Sequence, residues 1–584
     1  MVGHKEVSGL KKDRLIPRPR TYAQIIFSII CLALGLLWIN STQIAVGIFS
    51  PDNAYPEAMY KDLIILGNPL DGWQATKSPQ FFPDLIVYFI LRKITGDFAT
   101  AYYLCTVLYI LILVLFLRYM GKNLNSARKV SLTGFLLPVW TLFLLGINAQ
   151  ATWDGPLNLI NIYWHNGIIP LGLLTIILLT KYENSTSTIK LNISVLLISL
   201  LAMSSDYWWI PWFALPLTLI CIYYSSKLKK QRRKLLEFSS SLIIGALLGF
   251  VFNAMLKYLT ILHFSDVSPG NRGVGVATAL EAIGMSFVDL ILKSPGFLIL
   301  ITLSLYFAFM VFTNGTTKVA LEIETFKKPS KLKQRSSRIK ARKKQALEIS
   351  STPNINMTKT LFMVIFLSWT FTFVICAIWG LWSGSQFRYF SGPITLLWIT
   401  VGLIFFKLLS SEAFNRKSLL GGLLSLVLMV SIFQFQQQIR TTQGKYIKST
   451  SIVYPENISC IDLYTKKYRV NNGIGSYYIV APTFVSTKND LRISPINYNF
   501  QILHWLSNYH WGLRNSPPIR PAEVNFIIVG PEEPIYKLIP GKFGKPNHEI
   551  SCGGWNVLFY LGENSVKINK WFSNEMYIFL DSIK

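Results

Sequence analysis

Apolar positions in this chain come in long unbroken blocks, not in the alternating or two-faced patterns of a soluble fold. A membrane helix needs roughly 20 mainly apolar residues, because each rises about 1.5 Å and the hydrocarbon is about 30 Å thick. That measure predicts eleven spans, near residues 23–49, 100–117, 130–147, 166–180, 191–204, 207–224, 238–256, 296–313, 360–381, 391–407 and 419–435. The spans at 191–204 and 207–224 are short and read alternatively as a re-entrant pair. The first span is too long, and too polar at Asn40-Ser41-Thr42-Gln43, for a cleaved signal peptide. Between spans, Pro56 opens a short helix that must stop at Gly67-Asn68-Pro69. The stretch from Phe82 to Arg92 is too short to cross and reads as a helix lying at the membrane interface. Thr278 to Lys293 reads as an amphipathic helix. Beyond residue 435 the blocks end, and residues 436–584 predict a small mixed α/β domain. Its expected strands are Tyr477–Val480 and Asn525–Val529, with a short helix from Gln501 to Tyr509.

Charge turns these blocks into an oriented chain. Only 15% of residues are charged, against about 25% in soluble domains, which argues against a cytosolic multidomain enzyme. Lys and Arg number 57 against 29 acids, a net +28 that would elsewhere suggest nucleic acid. The basic residues, however, sit in short runs between spans: Lys11 to Arg20, Arg118 to Lys129, Lys181 to Lys190, Lys227 to Lys234, Arg416-Lys417, and eleven Lys or Arg within 318–344. Counting from a cytoplasmic N-terminus, all of them fall on one side, as basic loops retained in the cytoplasm do. On an anionic inner leaflet each such cation gains about 1 kcal/mol. The expected organisation is a basic cytoplasmic leader (1–22), a membrane domain (23–435) and an extracytoplasmic domain (436–584). Within the membrane domain, 50–99 is the first outer loop and 314–359 a basic cytoplasmic loop. This describes a multi-pass plasma (inner) membrane protein, mainly α, with no nucleic-acid partner.

The outer ends of the spans hold the candidate chemistry, since charges beside a bilayer are costly to keep unpaired. Asp52 follows the first span at Ser50-Pro51-Asp52-Asn53, where it would act as a general base or cation ligand, or simply as a turn residue. Glu57 precedes Lys61 by four residues, the spacing of a helical ion pair, and is otherwise a substrate-binding candidate. Asp154 is the one acid of its loop and would meet Asp52 across the bundle or close a plain turn. Tyr163-Trp164-His165-Asn166 opens the next span. An interfacial aromatic belt explains its rings but not His165 or Asn166, which suit proton transfer and substrate binding. Asp206, in Ser205-Asp206-Tyr207-Trp208-Trp209, joins two spans. Arg388, in Gln386-Phe387-Arg388-Tyr389, is a cation on the outer side, and phosphate recognition is the natural use of its fork. No Walker loop, HExxH or CxxC is present.

These features together resemble the GT-C superfamily of polytopic membrane glycosyltransferases. The residues that carry the resemblance are Asp52 just after the first span, the long acidic first outer loop with its interfacial helix, Asp154, Tyr163-Trp164-His165-Asn166-Gly167, Ser205-Asp206 and Gln386-Phe387-Arg388-Tyr389-Phe390. The resemblance implies a bundle of about eleven spans and transfer of a sugar from a polyprenyl-phosphate-linked donor to a glycan, lipid or protein outside the cytoplasm. Under it Asp52 is the catalytic acid or base, and Asp154 and His165 belong to the catalytic group. Arg388 holds the lipid phosphate, flanked by Tyr389, Asp206, Asn166 and Glu57, and Asp52 with Asp154 would hold a divalent cation, magnesium or manganese. Asn53 follows Asp52, so the adjacent Asp-Glu pair of some mannosyltransferase branches is missing.

Cys460 and Cys552 are the only cysteines outside the spans and, on the expected topology, face an oxidising compartment, so they are expected to form a disulfide. His504-Trp505, His510-Trp511 and Trp555 are either core residues or sugar-stacking rings of the tail. The rival functions are a transporter or flippase of lipid-linked glycans and a non-catalytic cell-envelope assembly protein. A transporter would show internal repeats, and none is found along this chain.

Overall fold

The computed structural model describes residues 51–76, 78–124, 165, 167–182, 188–264, 275–293, 357–378, 387–397, 399, 454–503, 506–514 and 520–583. The expected spans at 23–49, 130–147, 296–313 and 419–435, the leader and the basic run at 318–344 lie outside the described residues.

The segment expected to be the first outer loop is compactly folded over its described residues. Helix α1 (Pro51–Tyr60) passes into a π turn at Lys61–Ile65, strand β1 (Trp73–Ala75) follows, and helix α2 (Ile86–Thr95) closes the loop. The helix expected to open at Pro56 is already present over Pro51–Tyr60, with Pro56 inside it. It ends before Gly67, as expected. Helix α2 leaves Ile86, Ile90 and Ile94 uncovered along one edge, the stripe that an interfacial helix requires.

Apolar helices form the bundle: α3 (Phe98–Leu124), α4 (Ile168–Tyr182), α5 (Thr188–Ser205), α6 (Leu215–Lys227) and α7 (Arg232–Tyr258). Among the described residues three helices are long and apolar enough to cross a membrane: Thr188–Ser205, Lys229–Tyr258 and Thr360–Ile378. Many of their side chains face outward, Leu247 and Phe366 being 60% and 71% exposed. Such surface suits lipid rather than water. Of the segment suspected of being re-entrant, Thr188–Ser205 is long and apolar enough to cross a membrane, whereas its partner Leu215–Lys227 has 13 residues. Helix α5 runs one way and a π turn at Ile210–Ala214 reverses the chain. Helix α6 then returns to Lys227, near the start of α5. At 1.5 Å per residue α5 is about 27 Å long, which sets the basic run 227–234 a full helix length away from Asp206.

Among the described helices, α5 and α7 pack against each other most extensively. Gly245 and Gly249, in a G-x-x-x-G spacing, lie against α5 so closely that a Cβ on them would come 2.4 Å from Leu196 O and 2.6 Å from Leu200 O. Ser199 reinforces the contact by donating to Leu242 O at 2.7 Å and accepting from Trp209 Nε1 at 2.9 Å. Strand β2 (His263–Phe264), helix α8 (Val276–Lys293) and helix α9 (Met357–Ile378) complete this part.

The tail contains α10 (Glu456–Tyr468), β3 (Asn472–Ser476), α11 (Tyr477–Ser486), β4 (Arg492–Ile496), β5 (Ser507–Asn508), β6 (Phe526–Val529), α12 (Pro534–Phe543), β7 (His548–Cys552), β8 (Trp555–Phe559) and α13 (Ser565–Ile583). Its five-stranded sheet has the order β4-β3-β6-β8-β7, with β4, β3 and β6 parallel and β8 and β7 antiparallel. Helices α10 and α11 pack on one face, α12 and α13 on the other. A disulfide joins Cys460 on α10 to Cys552 on β7.

The expected strand at Asn525–Val529 is present as β6, but Tyr477–Val480 is the start of α11, and the strand lies just before it. Strand β3 reads Asn-Gly-Ile-Gly-Ser, a weak strand pattern, because Gly473 lies under the Phe526 ring where a Cβ would come within 2.2 Å. The expected helix from Gln501 to Tyr509 does not form. Ile502 bridges to Ile496, and Ser507–Asn508 is drawn into a second small sheet, β2-β1-β5.

That second sheet is stitched from two membrane-domain loops and the tail. At its centre the fully buried Asp62 accepts from Trp73 Nε1 (2.6 Å), Asn68 Nδ2 (2.7 Å), Asn508 Nδ2 (2.6 Å) and Trp511 Nε1 (2.7 Å). Lys61 Nζ donates to Phe484 O (2.8 Å) and Thr487 O (3.2 Å), at the end of α11. Residues of α1 and β1 share one apolar core with α10, α11 and β6. The tail and residues 54–75 thus share one core.

Candidate active site

Where α5 ends, the chain reverses through Asp206-Tyr207-Trp208-Trp209, and the segment 78–82 straps this junction. Gln80 N donates to Ser205 O at 2.9 Å, and Phe82 N donates to Ser205 Oγ. Asp206 is almost wholly buried, yet each of its oxygens is engaged. Oδ1 accepts from Ser78 Oγ at 2.9 Å and from Trp208 N at 3.0 Å, while Oδ2 lies 2.7 Å from His165 Nδ1. A carboxylate so held fixes the orientation of the imidazole and leaves Nε2 as the nitrogen it does not engage. His165 itself has φ +67°, a left-handed conformation that costs a residue with a Cβ about 1 kcal/mol or more and that recurs at functional sites.

Aromatic rings surround the pair. Trp208, Trp212 and Tyr389 lie 6.1, 6.3 and 6.1 Å from the His165 ring, and Tyr389 stacks on Trp208 at 4.9 Å. Tyr389 belongs to a 3-10 turn, Phe387–Phe390, so the Arg388 backbone sits one residue from this wall.

A second acid lies behind the pair. Asp84 is 3% exposed, its carboxyl so close to Gly167 that a Cβ there would meet Oδ1 at 2.0 Å. Asp84 Oδ1 has no hydrogen-bond partner among the described residues. Burial pushes its pKa well above the usual carboxylate range, and repulsion from Asp206 pushes the same way. Two neighbouring carboxyls with such different surroundings divide into a proton-holding acid, Asp84, and a fully hydrogen-bonded one, Asp206. Tyr109 of α3 lies within electrostatic reach of Asp84, beside Thr395.

Of the residues expected from sequence, His165, Asp206 and Tyr389 come together here. Asp52 lies within α1. Three residues on, Tyr55 donates to Pro79 O at 3.4 Å, tying that helix to the strap which holds Asp206. Glu57 is engaged elsewhere: it accepts from Tyr88 OH at 2.6 Å and Arg92 Nε at 2.9 Å, fixing α1 to α2. The ion pair expected between Glu57 and Lys61 is not the contact made, because Lys61 caps the open carbonyls of α11. Asp154 and Asn166 lie outside the described residues. The cation expected between Asp52 and Asp154 thus falls partly outside them too. Among the described residues no group of three or more His, Cys, Asp or Glu is placed to hold a metal. Asp206 has spent its oxygens on His165, Ser78 and Trp208, whereas Asp84 Oδ1 has no hydrogen-bond partner among the described residues.

Sequence reasoning missed Asp84 and Ser78 as site residues. Asp84 carried a signal, an acid immediately ahead of an apolar helix. Ser78 carried none. No family model matches this chain, and no curated protein matches it.

Proposed function

We propose that this chain is an integral-membrane glycosyltransferase that moves a sugar from a polyprenyl-phosphate-linked donor to an extracytoplasmic glycan, lipid or protein. The observation that carries this reading is the buried Asp206–His165 pair, with the proton-holding Asp84 behind it and aromatic rings around it. The pair lies at the end of α5 remote from the basic run 227–234, which supports an outer location under the positive-inside rule. The likeness to GT-C enzymes adds support through the same residues.

In the reaction, the acceptor hydroxyl oxygen attacks the anomeric carbon of the donor. The bond from that carbon to the phosphate oxygen breaks, and polyprenyl phosphate leaves. The hydroxyl proton passes to a base, Asp52 in the family's pattern, and His165, held by Asp206, relays it onward. Arg388 takes the phosphate charge, and Trp208 and Tyr389 shield the donor from water. Any divalent cation would be held by Asp52 and Asp154 and would help neutralise the phosphate.

The test is turnover by the purified chain of polyprenyl-phosphate donors carrying labelled hexose or pentose. Release of polyprenyl phosphate is expected with at least one sugar. Asp52→Asn and His165→Ala should lower the rate about 100-fold or more with unfolding temperature unchanged. Full activity in Asp52→Asn contradicts the mechanism, and an intact donor with every sugar favours a flippase or an anchoring protein.

A further inference from the structure

The bundle has a second polar place, a helix length away from the Asp206–His165 pair. An open groove of about 640 Å³ lies beside the first turns of α7, with Asn192 of α5 in its lining. From Arg232 to Ile244 it follows α7 for ~18 Å at 1.5 Å per residue. Its lining changes character in order along that length. Lys229, Arg232 and Arg233 come first, the hydroxyls of Ser240 and Ser241 next, and Ile244 last. Exposed Leu247, Leu248 and Val251 then continue the apolar strip along α7.

The groove is positive. Arg233 Nε is held by Glu237 Oε1 at 2.9 Å. Lys229 and Arg232 make no ion pair with a described acid, so their charge remains for a ligand. Keeping a loop on one side of a membrane requires charge alone; it explains neither a groove nor a lining graded from cation through hydroxyl to hydrocarbon. A soluble phosphate would use the cations and ignore the strip, and a neutral lipid would use the strip and ignore the cations. A lipid with an anionic headgroup uses the whole length. Its phosphate meets Lys229 and Arg232, its ester oxygens accept from the serines, and an acyl chain lies along Ile244 and the strip.

We propose that this groove is a binding site for an anionic phospholipid of the leaflet that meets the basic end of the bundle. The proposal is independent of the transferase reading.

The full chain, purified in detergent and stripped of lipid, is titrated with phosphatidylglycerol or phosphatidylcholine, and retained lipid is read by native mass spectrometry. Phosphatidylglycerol should be held about tenfold or more tightly than phosphatidylcholine, and soluble glycerol phosphate should not displace it. The double variant Lys229→Gln/Arg232→Gln should lose that preference. Ser240→Trp, which fills the groove and keeps its charge, should lower retention of phosphatidylglycerol to a similar extent. Arg416→Gln/Lys417→Gln removes as much charge from a different basic run and should leave retention unchanged. Unfolding temperatures in lipid-free detergent should match in all of these proteins. Equal retention of the two lipids, or an equal loss in the Arg416/Lys417 variant, would mean diffuse attraction to charge and overturns the proposal. Displacement by glycerol phosphate overturns the lipid assignment, and retention that survives Ser240→Trp places the lipid outside the groove.

Discussion

Burial of Asp84 against Gly167 means that its carboxyl keeps a proton at pH values where a solvated aspartate has lost it. The folded state therefore binds a proton that the unfolded chain releases above about pH 4. From there up to the folded pKa, stability falls as pH rises. Asp84→Asn, which keeps the shape without the titration, should flatten that slope. Thermal unfolding of both proteins between pH 5 and 9 measures it, and parallel slopes would show that Asp84 is ionised in the fold. At this scale the sequence was informative where polar residues interrupt apolar blocks, hence His165, Asp206 and Tyr389. It was silent on Ser78, whose bond to Asp206 spans 128 residues and follows from no local pattern.

Among elements, the pairing of α5 with α7 decides where Asp206 sits, because Asp206 directly follows α5. Gly245 and Gly249 leave no room for a side chain against the Leu196 and Leu200 carbonyls. Gly245→Leu should force the helices apart at a cost of about 1–3 kcal/mol, lowering the unfolding temperature and donor turnover together. An unchanged unfolding temperature would mean that the contact is looser than described. The helices Thr188–Ser205, Lys229–Tyr258 and Thr360–Ile378 were legible because a run of apolar residues needs no tertiary information. Strand β3 was not, since its glycines answer to Phe526 and Ile528, some fifty residues away. Nor was the short strand Ser507–Asn508, which exists because Asp62 and β1 recruit it.

For the molecule as a whole, the boundary drawn at residue 436 marks the end of the apolar blocks but not the end of a folding unit. Trp511 stacks on Phe484 at 4.2 Å, contacts Trp73 and bonds to Asp62. The tail's core therefore has part of its covering in residues 54–75. Residues 454–584 expressed alone, with their disulfide intact, should expose that apolar face, aggregate and melt without a cooperative transition. A sharp transition in the isolated tail would contradict the shared core.

The most direct measurement is photo-cross-linking of a polyprenyl-phosphate analogue, with the reactive group beside the phosphate, mapped on the full chain by peptide mass spectrometry. Labels should fall within residues 78–84, 205–212 and 387–395, around Asp206, His165 and Tyr389. Labels confined to residues 227–237, at the basic end of α7, would place the phosphate at the wrong end of the bundle and overturn the proposed site.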